Sequence, residues 1–393
     1  MTEPVPSWRR RAYSIDAMRA LARARLPRPV FDFADGGAED EYTLRRNEAA
    51  FDEFALLPRP LNGAVQRDLS ITLFGRQLSM PVIIGPTGLS GLFWPDGERC
   101  VARATGAAGT AFCLSHGSVC TLEDVAACGA SPRWMQLYIY RDRGFTRELA
   151  QRAANAGYDA LVLTTDNQLL GNRERDIRNG FSIPPRFGLA GLAGMALKAE
   201  WLWRMRRDLS QVTFGNYVRP GETADIRPLA GRMASLLDPS MNWQDVEDLR
   251  KFWQRPLILK GVLHPDEARM AVERGIDALI VSNHGGRQLD GAPATIDALP
   301  GIVDAVGGRV PILIDGGIRR GSDVVKALAV GATACLVGRP QLWALAVAGE
   351  AGVAHMLSIY RQEIDRVMGL CGVASIAGIT RDLLLQPRKE RNA

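Results

Sequence analysis

The segment Ser282–Asp290 (SNHGGRQLD) holds the residues of this chain best suited to proton transfer. His284 is a side chain that titrates near neutral pH, and Arg287 follows three residues later, beyond a glycine pair. Glycines permit a tight turn that brings both side chains to the same side of the chain. An isolated histidine is usually structural, but one followed by GGRQLD is not typical of packing. We therefore interpret His284 as a general base with Arg287 beside it.

Two glycine-rich segments nearer the C-terminus are suited to binding an anion. They are Asp315–Gly321 (DGGIRRG) and Val337–Pro340 (VGRP). Glycines let backbone N–H groups come close to a phosphate, and Arg319 and Arg339 add positive charge. Glycine-rich turns also end strands for steric reasons alone, so that second interpretation stays open.

These residues need elements that bring them together, and the chain carries eight short apolar segments separated by helical stretches. The segments are Pro81–Gly88, Gly109–Ser115, Arg133–Ile139, Ala160–Asp166, Pro256–Gly261, Asp277–Asn283, Val310–Gly317 and Ala334–Arg339. Near-continuous apolar strands that alternate with helices indicate a parallel sheet covered on both faces. Eight such units predict an α/β fold, a closed (β/α)8 TIM barrel, whose active site would lie at the C-terminal ends of the strands.

Every predicted strand ends in a side chain that can form hydrogen bonds or titrate. These residues are Thr87, Ser115, Gln136 with Tyr138, Thr164 with Asp166, Lys260, His284, Asp315 and Arg339. A solvated rim would explain any one of them, but it hardly explains the whole set. We predict that they surround one site at the barrel mouth.

The remaining segments are interpreted as parts of a single domain over residues 1–393. With 47% hydrophobic and 23% charged residues, the chain can build a large core, which excludes intrinsic disorder. Residues 1–60 predict an N-terminal helical cap, whose Gly36–Gly37 pair marks a turn over the barrel mouth. Between strands four and five, residues 184–241 form an excursion too long for an ordinary loop, and a helix at Asn242–Trp253 follows it.

Charges and cysteines exclude several classes of protein. Lysine and arginine number 48 against 43 acidic residues, a net charge of +5, and the arginines are spread along the chain, so we expect no nucleic-acid partner. The six cysteines include no CxxC pair, so we expect reduced thiols and no metal site. No run of about 18 uncharged apolar residues occurs, so we expect no conventional membrane-spanning helix.

Part of the excursion, Phe187–Asp208, has an amphipathic pattern. The residues that fall roughly on one apolar helical face are Leu189, Leu192, Met195, Ala196, Ala199, Leu202 and Trp203. The basic residues close by are Lys198, Arg204, Arg206 and Arg207. Such a segment could lie in a membrane interface. The alternative is a lid packed over the active site or against a neighbouring subunit, and both interpretations stay open.

Four motifs together resemble one enzyme family. They are SNHGGRQLD, IDGGIRRGSDVVKALAVG, MQLY and TTDNQLLGNRERD. On these motifs the chain resembles the FMN-dependent α-hydroxy-acid dehydrogenases and oxidases over essentially its whole length. Gly85–Glu98 and Phe33–Tyr42 are most similar to the (S)-mandelate dehydrogenase members. The resemblance implies an FMN cofactor in the barrel and oxidation of a 2-hydroxy acid.

The same resemblance implies roles for the candidate catalytic and substrate-binding residues. His284 would take the substrate proton, and Asp166 behind it would orient the imidazole and stabilise its charged form. Arg287 and Arg173 would bind the substrate carboxylate through planar guanidinium groups. Tyr138 would hydrogen-bond the substrate oxygen.

It also implies a set of cofactor contacts. Lys260 would lie beside the flavin and stabilise negative charge on the reduced ring. The implied isoalloxazine contacts are Pro86, Thr87, Gly88, Ser115, Gln136 and Thr164. The implied phosphate contacts are Gly316, Gly317, Arg319, Gly338 and Arg339, and Ser282 and Asp315 complete the cofactor-binding set.

Three positions bear on the substrate and the electron acceptor. Phe33 stands where the family usually has a tyrosine that binds the substrate carboxylate. Either the two arginines suffice, or the substrate differs at that end as an ester, an amide or a bulkier acid. Gly117 stands where oxidases of small acids carry a bulky side chain, and it would widen the pocket for an aryl or long-chain group. Gly88 resembles the dehydrogenase members, since oxidases often have alanine there.

We therefore predict an FMN enzyme that oxidises an aryl (S)-2-hydroxy acid to the 2-oxo acid and passes electrons to a membrane quinone or similar acceptor. The near alternatives are an L-lactate dehydrogenase and an oxidase that uses O2. From other classes, a flavin-barrel isomerase and a non-catalytic membrane-bound barrel stay open. The resemblance implies a homo-oligomer, a tetramer in many members. We expect a cytoplasmic enzyme that associates peripherally with the inner face of the cell membrane.

Overall fold

The structure, a computed structural model, describes residues 6–129, 132–180, 198–206, 214–217 and 237–385. Eight parallel strands close into a barrel in which each strand pairs with the next and the last pairs with the first. The strands are Val82–Ile84, Phe112–Leu114, Arg133–Leu137, Ala160–Thr164, Leu257–Val262, Ala278–Val281, Ile312–Ile314 and Ala334–Val337. Seven lie inside the predicted segments, and the fifth extends one residue beyond its segment. The predicted barrel is confirmed.

The strands are apolar throughout because both of their faces are buried. Inward-pointing residues such as Ile83 and Trp134 fill the barrel interior, while their neighbours along each strand face the helices. A short hairpin of strands Ile71–Leu73 and Arg76–Leu78 adds apolar side chains to the interior cluster. The sequence analysis did not predict this hairpin, because three-residue strands leave little periodic signal.

Helices follow the barrel strands, and most of them cover the outside of the sheet. They are Gly97–Ala107, Leu122–Ala126, Arg143–Asn155, Glu174–Arg178, Ala199–Met205, Trp243–Phe252, Pro265–Glu273, Thr295–Val306, Gly321–Val330 and Arg339–Cys371. The helix predicted at Asn242–Trp253 is present, and Asn242 caps it by accepting a hydrogen bond from the backbone N–H of Gln244. Most of the predicted excursion, residues 184–241, lies outside the described residues.

The N-terminal segment is helical, as predicted. Its helices are Ser7–Arg11, Ile15–Arg25, Arg28–Asp35 and Tyr42–Ala49. The turn after the third helix crosses the barrel mouth, where the backbone N–H of Ala38 donates to the Gly286 carbonyl at 2.8 Å. A Cβ on Gly37 would lie 2.8 Å from that same carbonyl, so only glycine permits this approach.

One helix in the described ranges is long and apolar enough to cross a membrane by length and composition, Arg339–Cys371, with a mean hydropathy of 1.4. However, 67% of its most apolar stretch is buried inside the protein, which is typical of a core helix. Its backbone leaves helical geometry at Ala348 and Gly349, so it consists of two helices joined at a kink. Gly349 has a φ of +57°, and a Cβ there would lie 2.4 Å from the Trp94 ring.

Candidate functional site

A cavity opens at the C-terminal ends of the barrel strands and collects nearly all of the predicted site residues. Those that line it are Phe33, Pro86, Thr87, Gly88, Ser115, Gly117, Gln136, Tyr138, Thr164, Arg173, Lys260, His284, Arg287, Asp315, Gly316, Gly317, Arg319, Gly338 and Arg339. Two predicted residues, Asp166 and Ser282, stand behind this lining and contact it through hydrogen bonds. The structure therefore brings the whole predicted set together.

His284 and Asp166 form a half-buried hydrogen-bonded pair. The Nδ1 atom of His284 lies 2.8 Å from Oδ1 of Asp166. His284 has a φ of +58°, a left-handed conformation that is rare for a non-glycine residue and often occurs at functional sites. Gly261, which the sequence analysis did not single out, has a φ of +106°, and a Cβ there would lie 2.9 Å from Asp166. Its missing side chain leaves room for the carboxylate.

The electrostatics of the pair favour a neutral histidine beside an ionised carboxylate. Burial lowers the pKa of His284, and the charge of Asp166 opposes that shift only in part. Burial raises the pKa of Asp166, but the charges of His284 and Lys260 outweigh it and hold this pKa below its usual value. An ionised carboxylate only accepts hydrogen bonds, so Nδ1 carries the proton and Nε2 keeps a lone pair. The pair is thus arranged as an oriented general base.

Two arginines of the cavity are held by the end of an N-terminal helix. Arg287 donates through Nη1 to the carbonyls of Phe33 and Gly36 at 2.8 and 2.9 Å. Arg339 donates to the carbonyls of Ala34 and Gly36 at 3.0 and 2.8 Å. Carbonyls at the end of a helix have no partner inside the helix, and they carry partial negative charge. The helical cap therefore orients both guanidinium groups over the barrel mouth.

These buried guanidinium groups lack enough negative charge around them. Burial, followed by repulsion from Arg173 and Arg339, lowers the pKa of Arg287 well below its ordinary value. Burial also lowers the pKa of Arg173, and burial together with Arg319 lowers that of Arg339 to about 10. Arginine does not lose its proton in proteins, so the surplus positive charge is available for bound anions.

Gln288 connects the loops that carry these groups. Its Nε2 donates to the carbonyl of Asp166 at 3.0 Å, and its Oε1 accepts from Nη2 of Arg173 at 3.4 Å. It therefore couples the position of Arg173 to that of the His284–Asp166 pair. Gln288 lies within the SNHGGRQLD motif but is not predictable as a site residue, because a glutamine without its spatial neighbours gives no signal.

Lys260 is a buried cation between two polar partners. Its Nζ donates to Oγ of Ser282 at 2.7 Å and lies 3.1 Å from Oδ2 of Asp315. Burial lowers the pKa of Lys260, but the charges of Asp315 and Asp166 outweigh burial, so this pKa is raised overall. Ser282 also accepts from the backbone N–H of His284 at 3.1 Å. Lys260 thus stays charged on the floor of the cavity.

Several buried polar atoms around the cavity have no hydrogen-bond partner among the described residues. They are Nε2 of Gln136, Oγ1 of Thr164, Oδ1 of Asp315 and Nε of Arg319. Leaving a buried polar group unpaired costs about 1–3 kcal/mol, and native structures rarely leave such groups unpaired. This donor and acceptor set fits a ligand with a polar edge and a phosphate, as FMN has.

The glycines in the loops after the seventh and eighth strands pack closely against neighbouring residues, and they also leave room for a ligand. Gly317 has a φ of +81°, and a Cβ there would lie 1.9 Å from the carbonyl of Asn47. Arg319 forms an ion pair with Glu48 at 2.6 Å, so part of its positive charge is already neutralised. Arg339 has no such ion pair in the described ranges, which makes it the stronger candidate for binding a phosphate.

Gly117 lines the cavity, but the ring of Phe214 lies against it. A Cβ on Gly117 would be 3.4 Å from Cε1 of Phe214. The missing side chain therefore leaves less open space than the sequence analysis inferred. Phe214, His116, Asn167 and Leu170 line the cavity without having been predicted. They lie in loops where no local pattern identifies a lining residue.

The described part of the amphipathic segment is the helix Ala199–Met205. Its buried residues are Trp201 and Met205. Of the predicted apolar face, Leu202 is half-buried in this helix, while Ala199 and Trp203 are exposed. Trp201 and Met205 are four positions apart and therefore lie on one side of the helix, the side that packs against the barrel. Predicted positions 187–197 and 207–208 lie outside the described residues.

The same helix is attached to the barrel by its buried face. Nε1 of Trp201 donates to the carbonyl of Leu92 at 3.0 Å. On the other side, Trp203 is 67% exposed, and the Arg206 guanidinium lies 4.3 Å from the centroid of its ring. An exposed tryptophan beside an arginine is typical of membrane-interface helices.

In the ranges that the structure describes, no cluster of histidine, cysteine, aspartate or glutamate could hold a metal ion. All six cysteines lie within these ranges, and each is a free thiol.

Comparison with known proteins places the chain in one family. Residues 22–386 match the family model described as FMN-dependent dehydrogenase. The chain is 44% identical over 369 residues to an L-lactate dehydrogenase of Alcaligenes faecalis, covering 94% of this chain and 97% of the relative. An L-lactate dehydrogenase of Caulobacter vibrioides is also 44% identical, covering 94% and 96%.

Solved structures agree with this match. The monotopic membrane protein (S)-mandelate dehydrogenase superposes with a TM-score of 0.92 at 38% identity, covering 95% of this chain and 99% of that chain. A mandelate oxidase superposes with a TM-score of 0.81 at 38% identity, covering 93% and 96%. With the barrel, the histidine–aspartate pair and the arginine-rich mouth, these matches show that the chain belongs to the FMN-dependent dehydrogenase family.

Proposed function

We propose that this protein oxidises an (S)-2-hydroxy acid to the 2-oxo acid, with FMN as the electron acceptor in the barrel. The observation that carries the proposal is the half-buried His284–Asp166 pair, which adjoins the cavity lined by Arg173 and Arg287. A base next to surplus positive charge suits a substrate that has both an acidic proton and a carboxylate. An isomerase of the same fold would not need this combination.

In this mechanism His284 takes the substrate proton through Nε2, because Nδ1 is engaged with Asp166. The lowered pKa keeps the imidazole neutral at pH 7, so it is ready to accept a proton. Once the imidazole is protonated, the Asp166 carboxylate stabilises its positive charge.

The substrate is oriented by its carboxylate and its oxygen. Arg287 and Arg173 bind the carboxylate, which neutralises part of their mutual repulsion. Tyr138 donates its hydroxyl to the substrate oxygen. Burial raises the pKa of Tyr138, so its hydroxyl stays protonated at working pH.

When bound, FMN accepts the two electrons that the hydroxy acid loses. Lys260 and the unpaired polar atoms of Gln136 and Thr164 would hold the polar edge of its ring system. Arg339, with the Gly316–Gly317 turn, would bind its phosphate. Lys260, a buried cation on the floor of the cavity, would stabilise the negative charge that the flavin gains on reduction.

An aryl side chain is the first candidate for the substrate. The (S)-mandelate dehydrogenase and mandelate oxidase matches support it, as does the aromatic lining of the cavity. A small aliphatic acid such as L-lactate is the second candidate. The 44%-identical relatives favour it, and so does Phe214, which fills space beside Gly117.

We also propose that the enzyme binds peripherally to the inner face of the cell membrane and reduces a quinone there. The exposed Trp203, the neighbouring Arg206 and the similarity to a monotopic membrane protein support this. Trp203→Ala with Arg206→Gln should weaken sedimentation with anionic vesicles, while flavin reduction by substrate stays unchanged, and the part of the loss that comes from Arg206 should shrink at high salt. Equal sedimentation of the variant and the wild type would contradict the membrane proposal.

The function is tested by anaerobic flavin reduction. Glycolate, L-lactate, (S)-mandelate and a mandelate ester are mixed with the FMN-loaded protein, and bleaching of the flavin is followed. We expect the free acids to reduce the flavin, and His284→Ala to bind FMN yet slow reduction by several orders of magnitude. Bleaching by none of the acids, or a His284→Ala rate within about tenfold of wild type, would contradict the proposal.

A further inference from the structure

A short segment of the excursion, Phe214–Tyr217, is held firmly against the loop that follows the second barrel strand. Asn216 is buried, and its Nδ2 donates to the carbonyl of His116 at 3.2 Å and to Oγ of Ser118 at 2.9 Å. Its Oδ1 accepts from the backbone N–H of Leu122 at 2.8 Å. Three hydrogen bonds from one buried side chain fix the segment in place.

The loop that receives this segment is itself tied down. The buried Glu98 accepts through Oε1 from the backbone N–H groups of Ser90 and Val119, at 2.9 and 3.0 Å. The Gly117 carbonyl accepts from the backbone N–H of Leu89 at 2.9 Å. These bonds join the loops after the first and second strands, so the side of the cavity formed by Gly117 cannot easily move away.

Phe214 is the residue of this segment that reaches the cavity. Its side chain is 2% exposed, lines the cavity, and lies 3.4 Å from a Cβ placed on Gly117. Behind it stands Tyr217, whose hydroxyl hydrogen-bonds Tyr140 at 2.7 Å and also contacts His116. The ring of Phe214 is therefore supported from behind and faces the space where a substrate side chain would lie.

The barrel topology places this ring opposite the carboxylate-binding arginine. Gly117 follows the second strand and Arg287 follows the sixth, and in a closed eight-stranded barrel these strands are diametrically opposed. We therefore expect a 2-hydroxy acid whose carboxylate is bound by Arg287 to extend its side chain toward Phe214.

We propose that Phe214 determines substrate specificity by closing the side-chain end of the pocket, so that short or flat aryl 2-hydroxy acids are admitted and long-chain ones are excluded. This inference rests on the proposed 2-hydroxy-acid function. An aromatic ring makes favourable contact with an aryl group, while the fixed backbone behind it leaves no room for an extended chain.

The test compares substrate ranking in Phe214→Ala and Phe214→Leu with that of the wild type. Anaerobic flavin-reduction rates and apparent affinities are measured for L-lactate, (S)-mandelate and 2-hydroxyoctanoate. We expect Phe214→Ala to raise the specificity for 2-hydroxyoctanoate relative to L-lactate by about tenfold or more, and Phe214→Leu to shift it in the same direction by less. If Phe214→Ala fails to retain FMN, the direction of the shift in Phe214→Leu decides.

The matched control is Phe145→Leu. Phe145 is buried and packs on the same Tyr217 ring, 5.4 Å away, but it does not line the cavity. Phe145→Leu should change the melting temperature without changing the substrate ranking.

A second test is reciprocal. Gly117→Trp alone should strongly slow flavin reduction by mandelate, and adding Phe214→Ala should restore much of the loss, because the two side chains compete for the same space.

The proposal is overturned if the Phe214 variants change all three substrates by the same factor, or if Phe145→Leu shifts the ranking equally. It is also overturned if the double variant shows no recovery over Gly117→Trp. Failure of the proposed function has a different signature, because then no 2-hydroxy acid reduces the flavin of the wild-type protein.

Discussion

Replacing Asp166 by asparagine removes a charge but keeps the size of the side chain, so it isolates what the carboxylate does for His284. The two side chains are joined by a 2.8 Å hydrogen bond, which places the charge centres about 4 Å apart. At an effective dielectric constant of about 20, opposite charges at that distance attract by about 4 kcal/mol. Each 1.36 kcal/mol corresponds to a factor of ten in rate, so the full loss would be about a thousandfold. Asparagine can still accept a hydrogen bond, so we expect a slowing of about a hundredfold to a thousandfold.

The assay is the anaerobic rate of flavin reduction by (S)-mandelate or L-lactate as a function of pH. The wild-type rate should fall on the acid side of a pKa below 6.5, because burial lowers the pKa of His284 and only the neutral imidazole accepts a proton. Asp166 raises this pKa, so the acid limb of Asp166→Asn should move to lower pH while the plateau drops. Asp365→Asn, which breaks a surface ion pair with Arg67, is the matched control and should leave the acid limb and the plateau rate unchanged. A plateau within about threefold of wild type, with an unmoved limb, would refute the pairing argument.

Phe33→Tyr should tighten the binding of a free 2-hydroxy acid by about 1 kcal/mol, roughly fivefold in apparent affinity, if the new hydroxyl reaches the carboxylate. An unchanged affinity, together with equal oxidation of the methyl ester, would point to a substrate without a free carboxylate. Lys260→Met should lower the midpoint potential of the bound FMN, because it removes a buried positive charge near the reduced ring. A potentiometric titration measures the potential, and an unchanged value would place the ring elsewhere. Gly285→Ala should lower the melting temperature and weaken FMN binding, since its Cβ would lie 2.6 Å from Nη1 of Arg339 and its φ is +65°; a fully stable variant with wild-type FMN affinity would contradict this.

The barrel was predictable because its strands are locally distinct. Each strand is buried on both faces, so its sequence is an apolar run between turn residues. The eight runs can therefore be recognised without knowing which strands pair with each other. Polar residues at the ends of the runs then identified the site, since parallel strands of a closed barrel bring their C-terminal ends to one mouth. The motif around His284 added the candidate base for the same reason, because its glycines and its charge lie within one short segment.

Other features depended on contacts between distant parts of the chain. Arg287 is held by carbonyls of Phe33 and Gly36, about 250 positions earlier in the sequence, and no local pattern connects them. The buried residues of the helix at Ala199–Met205, Trp201 and Met205, were decided by contact with the barrel, and the periodic pattern of the segment did not single them out.

The sequence by itself determined the fold class and the set of residues at the mouth, because these follow from burial patterns along the strands. Its motifs implied the FMN cofactor through their resemblance to one enzyme family. Only the tertiary structure decided that Phe214 fills the space beside Gly117, and that Gln288 couples Arg173 to the catalytic pair. The physical reason is that a cavity is bounded by whichever loops happen to pack across it. Each of those loops contributes a single side chain, and its role can be recognised only once its neighbours in the folded protein are known.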